Sequence, residues 1–486
     1  MYLGIDLGTS SLKAVIVDEG EVVVAQASAP LSVSRPQPLF SEQDAGDWWS
    51  AAVRAIVQLP ASVRASVRAI GLSGQMHGAT LLDGADVPLR PAILWNDGRS
   101  GAQCVELERR EPHSRAITGN IMMPGFTAPK VLWIAQHEPA LFARTATVLL
   151  PKDFLRLKLT GERVSDMSDA SGTGWLNVAR RDWSDAMLAA TGLSRANMPR
   201  LVEGNAQSGQ LTAQAAQLLG MNRVAVAGGG GDNAASAVGM GIIAPGQSFL
   251  SLGTSGVLFV VTDRFRPNPQ RAAHAFCHAI PGCWHQMAVL LSAASALDWV
   301  AQLLGATDLP QLVESAQARD LSAASPYFLP YLSGERTPHN DPYARGVFFG
   351  LQHDTASADL VAAVLEGVAL AFADGLDVLL EAGGRVDEIS VTGGGARLAY
   401  WGQLLAAALN RPLTYRAGSE IGAALGAARL ARMAVSGESA AAVCRLPPIV
   451  RVVQPDPQLA ALLAQRRGHF MRLYRDLRKA FQESAG

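Results

Sequence analysis

Gly4-Ile5-Asp6-Leu7-Gly8-Thr9-Ser10-Ser11-Leu12-Lys13-Ala14-Val15-Ile16-Val17-Asp18 lies at the start of the chain. Half a chain later, Phe249-Leu250-Ser251-Leu252-Gly253-Thr254-Ser255-Gly256-Val257-Leu258-Phe259-Val260-Val261-Thr262-Asp263 repeats its plan. The shared core is Leu-Gly-Thr-Ser, at 7–10 and 252–255. Each copy reads as apolar strand, small-residue turn, apolar strand. That is a β-hairpin whose turn presents backbone N–H groups and hydroxyls, chemistry that wraps a phosphate. Two copies predict two related lobes gripping one polyphosphate. Asp6 stands in the first copy where Ser251 stands in the second. A carboxylate beside phosphates makes sense mainly with a divalent cation between them. The residues therefore predict an enzyme that binds ATP and Mg2+ in a cleft between two domains. One Gly-Thr-Ser alone is ordinary turn chemistry; the matched flanks carry the inference.

Bulk properties agree with this frame. A chain of 486 residues is too long for one core. The expected division is 1–245 and 246–486. With a formal net charge of -1 and mixed signs, no basic stretch is available to track nucleic acid. Four cysteines are too few for a disulfide scaffold of this size and fit a reducing cytosol. No apolar run is long enough to span a bilayer, and strand residues open the chain with no secretory signal ahead of them. The expectation is a cytoplasmic protein. Alanine-rich stretches at 361–373 and 421–435 read as helices packed through small residues.

Strands and helices alternate, which predicts α/β lobes with mixed sheets. A meander is expected over Tyr2–Leu7, Leu12–Val17 and Val22–Ala27, then a helix over Asp47–Leu59 and a strand over Val67–Ser73. Ala79–Leu82 and Pro91–Trp95 are expected to continue the sheet, with Asp97 near a helix N-cap. Pro326–His339 reads as a loop, and Ile421–Met433 as a helix. Five strands end in glycine turns, near Asp6, Gly74, Gly231, Gly253 and Gly394, where α/β folds place ligands.

Asp232 is the candidate base. It follows an apolar strand and Gly228-Gly229-Gly230-Gly231, and precedes an Ala-rich helix. Glycine lets backbone approach a ligand closely, and an acid there can take a proton from a hydroxyl attacking phosphorus. A plain N-cap is the competing reading. Gly393-Gly394-Gly395-Ala396 follows a strand, and its backbone could lie flat against adenine or ribose. His77 could bond a sugar hydroxyl while Met76 packs on the carbon face. His274, Cys277, His278, Cys283 and His285 share one hairpin. Zinc-knuckle spacing is missing, and buried hairpin residues are the preferred reading. No Gly-x-x-x-x-Gly-Lys-Ser/Thr loop, Gly-x-Gly-x-x-Gly after the first strand, His-Glu-x-x-His or Gly-x-Ser-x-Gly is present.

Over nearly its whole length the chain resembles the FGGY carbohydrate kinases of the actin, hexokinase and Hsp70 superfamily. Asp6–Lys13 resembles the family's first phosphate motif, Ser251–Gly256 the second, and Val391–Arg397 the adenosine motif. Gly125–His137 resembles one family signature, and Gly346–Leu351 running to Glu366 the other. Gln75–Leu82, Arg90–Arg99, Leu150-Pro151-Lys152-Asp153 and Leu329–Asn340 are similar to members acting on D-xylulose. A fourth glycine, Gly228, is a small departure. The resemblance implies two actin/hexokinase-like (ribonuclease H-like) domains with mixed sheets around a central cleft. It also implies transfer of phosphate from ATP to D-xylulose in xylose catabolism. By the same resemblance Asp232 is the base and Asp6 the acid that helps hold Mg-ATP. Met76, His77, Trp95, Asp97 and Asn233 become sugar contacts. Gly8, Thr9, Lys13, Gly253, Thr254, Gly394 and Gly395 become nucleotide contacts. Another ketose or a polyol as acceptor, and a non-catalytic actin-like ATP switch, stay open. So does oligomeric state, a homodimer included.

Overall fold

The computed structural model describes residues 1–319, 321–418 and 422–484. The first half builds a sheet from β1 (Tyr2–Leu7), β2 (Ser11–Val17), β3 (Val23–Pro30), β4 (Ala69–Gly74), β5 (Gln207–Gln210) and β6 (Ala225–Ala227), in the order β5-β6-β4-β1-β2-β3. The second half builds one from β7 (Gln247–Leu252), β8 (Gly256–Thr262), β9 (His274–Cys277), β10 (Trp284–Leu290), β11 (Glu388–Thr392), β12 (Leu413–Arg416) and β13 (Ile449–Val453), in the order β9-β10-β8-β7-β11-β12-β13. The two match strand for strand. β1 pairs antiparallel with β2 and parallel with β4; β7 pairs antiparallel with β8 and parallel with β11. β6 joins β4 in parallel and β5 closes that edge antiparallel; β12 and β13 do the same beyond β11. The repeat visible in sequence only as Leu-Gly-Thr-Ser thus extends over six strands, with β9 added at one edge.

Helix α1 (Ala45–Gln58) begins where the Asp44 side chain accepts the Gly46 N–H at 2.7 Å. It buries Trp48 and Ile56 in the first core; Trp49 stays half exposed. Helix α2 (Pro151–Thr160) starts on a proline whose missing N–H costs nothing there. Helices α3 (Asp232–Gly239) and α4 (Ala294–Leu303) each follow a glycine- or serine-containing turn beside the cleft, and α5 (Ser357–Glu381) is the main cover of the second core. After α6 (Ala399–Leu409), helix α7 (Gly422–Ser436) crosses back onto the first sheet, and α8 (Pro457–Glu483) ends the chain.

α3 follows β6 and α7 follows β12, so they are equivalents in the repeat, and they pack on one another. Glycine makes this close. A Cβ on Gly426 would lie 1.8 Å from the Ala235 carbonyl oxygen, and one on Gly239 2.0 Å from that of Gly422. α7 also lies on β1 and β4, where a Cβ on Gly4 or Gly71 would run into the carbonyls of Ala424 or Ala427.

Three expectations are corrected. Thr80–Leu82 and Ala92–Ile93 do not continue the main sheet; they pair with Thr147–Leu149 and Glu42–Gln43. The chain leaves the sheet at His77, which has φ +69°, and Pro88 and Pro91 interrupt the stretch between the two short strands. Asp97 is not a helix cap: the next helix starts at Gly101 after Ser100, and Asp97 is held by Arg99. The stretch 326–339 contains a strand, Tyr327–Leu329, paired with Val347–Phe349. Of the helix expected from Ile421, the described part is α7; Ile421 itself lies outside the described residues.

Candidate active site

Both hairpin turns are braced from behind. In the first, Gln43 Nε2 donates to the Thr9 carbonyl at 2.7 Å, and the Leu31 N–H donates to the Ser10 carbonyl at 2.9 Å. In the second, the N–H groups of Ala294 and Ala293, at the start of α4, donate to the Gly253 and Thr254 carbonyls at 2.8 and 3.0 Å. Carbonyls engaged this way leave the Thr9, Ser10, Gly253 and Thr254 N–H groups without an acceptor among the described residues. Such donors fit phosphate oxygens. The Thr9 hydroxyl is itself taken, donating to Gln75 Oε1 at 3.1 Å and accepting from Trp95 Nε1 at 2.9 Å. Trp95, expected at the sugar, therefore also braces this turn.

Asp6 ends β1 between Lys13 on β2 and Ser73 on β4. Its Oδ1 is buried and has no hydrogen-bond partner. Burial raises its pKa; the neighbouring Ser73 hydroxyl and Lys13 oppose the rise. A buried carboxylate oxygen left open beside a phosphate turn fits a hydrated divalent cation. Ser73 pairs in turn with Gly230, two residues before Asp232. The strands thus bring Asp6 and Asp232 to one end of the sheet.

Gly231 is the N-cap of α3 and Asp232 its first residue, so the capping role goes to glycine. Asp232 Oδ1 accepts from the Asn233 N–H and Nδ2 at 2.7 and 3.0 Å, leaving Oδ2 outside these bonds. Burial, then the Asp6 charge, pushes its pKa up to about 6. A base poised near neutrality suits proton abstraction. Gly229 adopts φ +76°, and its Cβ would meet the Leu72 carbonyl oxygen at 2.0 Å. Gly228 is equally confined, with Glu203 O at 2.2 Å from such an atom. A Cβ on Gly231 would meet Met76 Cγ at 2.8 Å, which puts Met76 against the residue preceding Asp232.

His77 Nδ1 lies 2.6 Å from the Gly172 carbonyl, so Nδ1 carries the proton. Burial, then the Lys130 charge, pushes its pKa down to about 3. The ring is neutral, and Nε2 is left as an acceptor with no protein partner among the described residues. Phe126 packs beside it with ring centroids 5.1 Å apart.

Asp97 does other work than the one expected. The Asp97 carboxylate is fully buried and occupied by Arg99 and the Ser41 N–H at 2.6 Å. It holds the loop behind Trp95 and has no free oxygen for a sugar. Asn233 lines the cleft and gives one side-chain N–H to Asp232, which leaves its second N–H and its Oδ1 outside that bond.

Asp6, Lys13 and Asn233 from the first half meet Ser251, Val391–Gly394, Ala396 and Arg397 from the second around a cavity of about 680 Å3. A second cavity of about 530 Å3, bordered by Gly253, Thr254, Gly395 and Trp401, shares Gly394 and Arg397 with it. The three glycines differ in purpose. Gly393 has φ +91°, and Gly395 sits against Trp401. A Cβ on Gly394 would meet no protein atom within 4 Å, so it faces the open groove.

The histidines and cysteines of the β9–β10 hairpin do not converge on a point that could hold a metal ion; among the described residues only Asp153, Asp166 and Asp169 gather so. His274, Cys277, His278 and His285 are buried, as the sequence suggests, and His274 Nδ1 meets Asn120 Oδ1 at 2.9 Å. Sequence reading missed Arg336. Its guanidinium forms no carboxylate pair among the described residues and reaches His274 Nε2 at 3.3 Å, close enough to His77 to depress its pKa further. An unpaired arginine has no local sequence signal beyond the Gly334-Glu335-Arg336-Thr337 run.

Comparison with known proteins agrees. Residues 1–239 match the N-terminal domain model of the FGGY family of carbohydrate kinases, and 249–435 the C-terminal domain model. The chain is 54% identical over 481 residues to the xylulose kinase of Escherichia coli K12, covering 98% of this chain and 99% of that one. It is 36% identical to the xylulose kinase of Bacillus subtilis 168, covering 88% and 87%. A crystal structure of a xyloylose kinase from Brucella ovis superposes with TM-score 0.95 at 49% identity, covering 99% of each chain. Two repeated α/β lobes with matching hairpin turns thus coincide with family models over residues 1–239 and 249–435: this chain belongs to the FGGY family of carbohydrate kinases, ATP-dependent enzymes with the two-domain actin/hexokinase-like fold.

Proposed function

We propose that the protein phosphorylates D-xylulose to D-xylulose 5-phosphate at the expense of ATP, as a cytoplasmic step of xylose catabolism. The observation that carries this reading is Asp232, raised to about 6 and set against Met76 beside the cleft. Near-full-length similarity to xylulose kinases supports the choice of sugar. In the proposed step Asp232 takes the proton of the terminal sugar hydroxyl. That oxygen forms the new bond to the γ-phosphorus as the bond to ADP breaks. Met76 packs on the sugar's carbon face and the His77 Nε2 accepts from a hydroxyl. The free turn N–H groups of both hairpins, with Lys13, hold the triphosphate, and Gly394 and Gly395 receive the adenosine. Asp6 is the residue that would hold Mg2+, which when bound neutralises phosphate charge. The proposed domains are 1–245, carrying the sugar side, and 246–486, carrying the adenosine side. A coupled assay across pentuloses, hexuloses and polyols tests the reading. D-xylulose should give the highest kcat/KM, and a higher value for another acceptor would reassign the substrate.

A further inference from the structure

We infer that Lys152, Asp166 and Ser168 form a buried relay that positions Asp232, an inference that rests on Asp232 being the base. The four glycines before Asp232 have no side chains with which to anchor their own loop. Backbone bonds hold them to Gly204, Ala206 and the end of β4, and side chains from α2 and from the turn after Val164–Asp166 add the rest. Ser168 Oγ accepts the Gly231 N–H at 3.1 Å, directly before the base. The same hydroxyl donates to Asp166 Oδ1 at 2.5 Å. Asp166 Oδ2 lies 2.6 Å from Lys152 Nζ, which also meets Asp153 at 2.7 Å and Asp169 at 3.1 Å. Arg156, one turn along α2, donates to the carbonyls of Ala227 and Gly228 at the other end of the glycine run. The loop is therefore clamped at both ends by one buried cluster.

Stability alone does not account for this cluster. Lys152, Asp153, Arg156, Asp166 and Asp169 are all 0% exposed in their side chains. Burying that many charges is costly, and well-packed apolar residues often serve a core as well. Lys152 already fills the space between the three carboxylates as a built-in cation. Burial drives the Asp169 pKa well up, opposed first by the Lys152 charge beside it. The hydrogen bonds that leave the cluster toward the cleft go to Gly231 and to the start of the glycine run. These are positioning residues; none touches substrate.

Ser168→Ala tests the relay, because it removes the acceptor of the Gly231 N–H and leaves Lys152 with its three carboxylates. The expected result is a kcat lower by roughly 10- to 100-fold, the size of loss that small misplacement brings. KM for sugar and for ATP should stay within about threefold, and the acid limb of the kcat–pH profile should move. Asp166→Asn, which keeps an acceptor for Ser168 but drops the charge, should fall between Ser168→Ala and the native enzyme. A native kcat and pH profile in Ser168→Ala, beside an inactive Asp232→Asn, overturns the relay and leaves the base intact. So does a kcat loss matched by equal losses of melting temperature and ADP affinity. Turnover surviving in Asp232→Asn overturns the base, and the relay with it.

Discussion

The Asp6 charge lifts the Asp232 pKa: the strand pairings Asp6–Ser73 and Ser73–Gly230 bring a carboxylate on β1 close to one at the start of α3, and the first makes the second harder to ionise. In the proposed step Asp6 stands beside the phosphates and Asp232 beside the acceptor hydroxyl. A cation held at Asp6 would relieve the repulsion, so base strength and nucleotide loading are coupled through a single pair of acids.

Asp232→Asn should lower kcat by ~10²–10⁴, the usual contribution of a positioned base. ADP affinity should be close to native, measured by fluorescence or calorimetry. Equal loss of nucleotide binding would make Asp232 structural.

The same substitution should raise stability at neutral pH. The folded pKa of about 6 exceeds the ordinary 3.8, so the folded state binds this proton more tightly than the unfolded one. Ionised Asp232 therefore opposes folding, fully above pH 6, and the penalty disappears as pH falls below 3.8. Its size is on the order of 1–3 kcal/mol. Asp232→Asn should melt several degrees higher than native at pH 7.5, with the gap narrowing at pH 5. Native kcat should fall below about pH 6 as the base protonates. His77, held near 3, should add no limb between pH 5 and 8.

Asp6→Asn should weaken the response of turnover to Mg2+. A titration from micromolar to millimolar Mg2+ at fixed ATP should shift to higher concentration by about tenfold or more. A native titration curve would remove Asp6 from the cation site.

Gly394→Val separates nucleotide space from folding. Its Cβ would enter the groove with no protein atom within 4 Å. ADP should bind at least tenfold more weakly while the melting temperature moves by no more than about 2 °C. Gly426→Ala should do the reverse, since its Cβ would meet the Ala235 carbonyl at 1.8 Å; overpacking of that kind costs about 1–3 kcal/mol.

His77→Ala should raise KM for the sugar and lower kcat, with ATP affinity in the absence of sugar unchanged. Arg336→Gln is expected to affect the sugar in the same direction. Phosphoryl transfer excludes water, so the lobes should draw together when both sites fill. Small-angle scattering should give a smaller radius of gyration with D-xylulose and a non-hydrolysable ATP analogue. An unchanged radius counts against the closure.

Much of this architecture was legible because hairpins carry local signals. A glycine turn between apolar runs reads directly as β1–β2 or β7–β8, and Asp232 stands out because four glycines precede it. Long-range partners were not legible. Asp97 reads as a polar residue at the start of a helix, and nothing local announces that Arg99 and Ser41 consume it. Arg336 is conspicuous only because it forms no carboxylate pair among the described residues, a fact of three dimensions. Lys152 and Asp153 were visible only as part of the Leu150–Asp153 run, and their meeting with Asp166 and Asp169 depends on a turn more than a dozen residues on. Ala79–Leu82 has strand composition and is a strand; its choice of partner follows from the backbone turn at His77.

Helix α7 carries a consequence for how the chain is made. It is residues 422–436 that lie against β1 and β4, formed from residues 2–7 and 69–74. During synthesis the first sheet leaves the ribosome hundreds of residues before its lid exists. That face, lined by Gly4 and Gly71 among apolar neighbours, must wait uncovered or be shielded by a chaperone. The two halves are thus sequential on the message but not in assembly. A fragment ending at residue 245 should bind hydrophobic dyes and aggregate, and adding the second half in trans should rescue it.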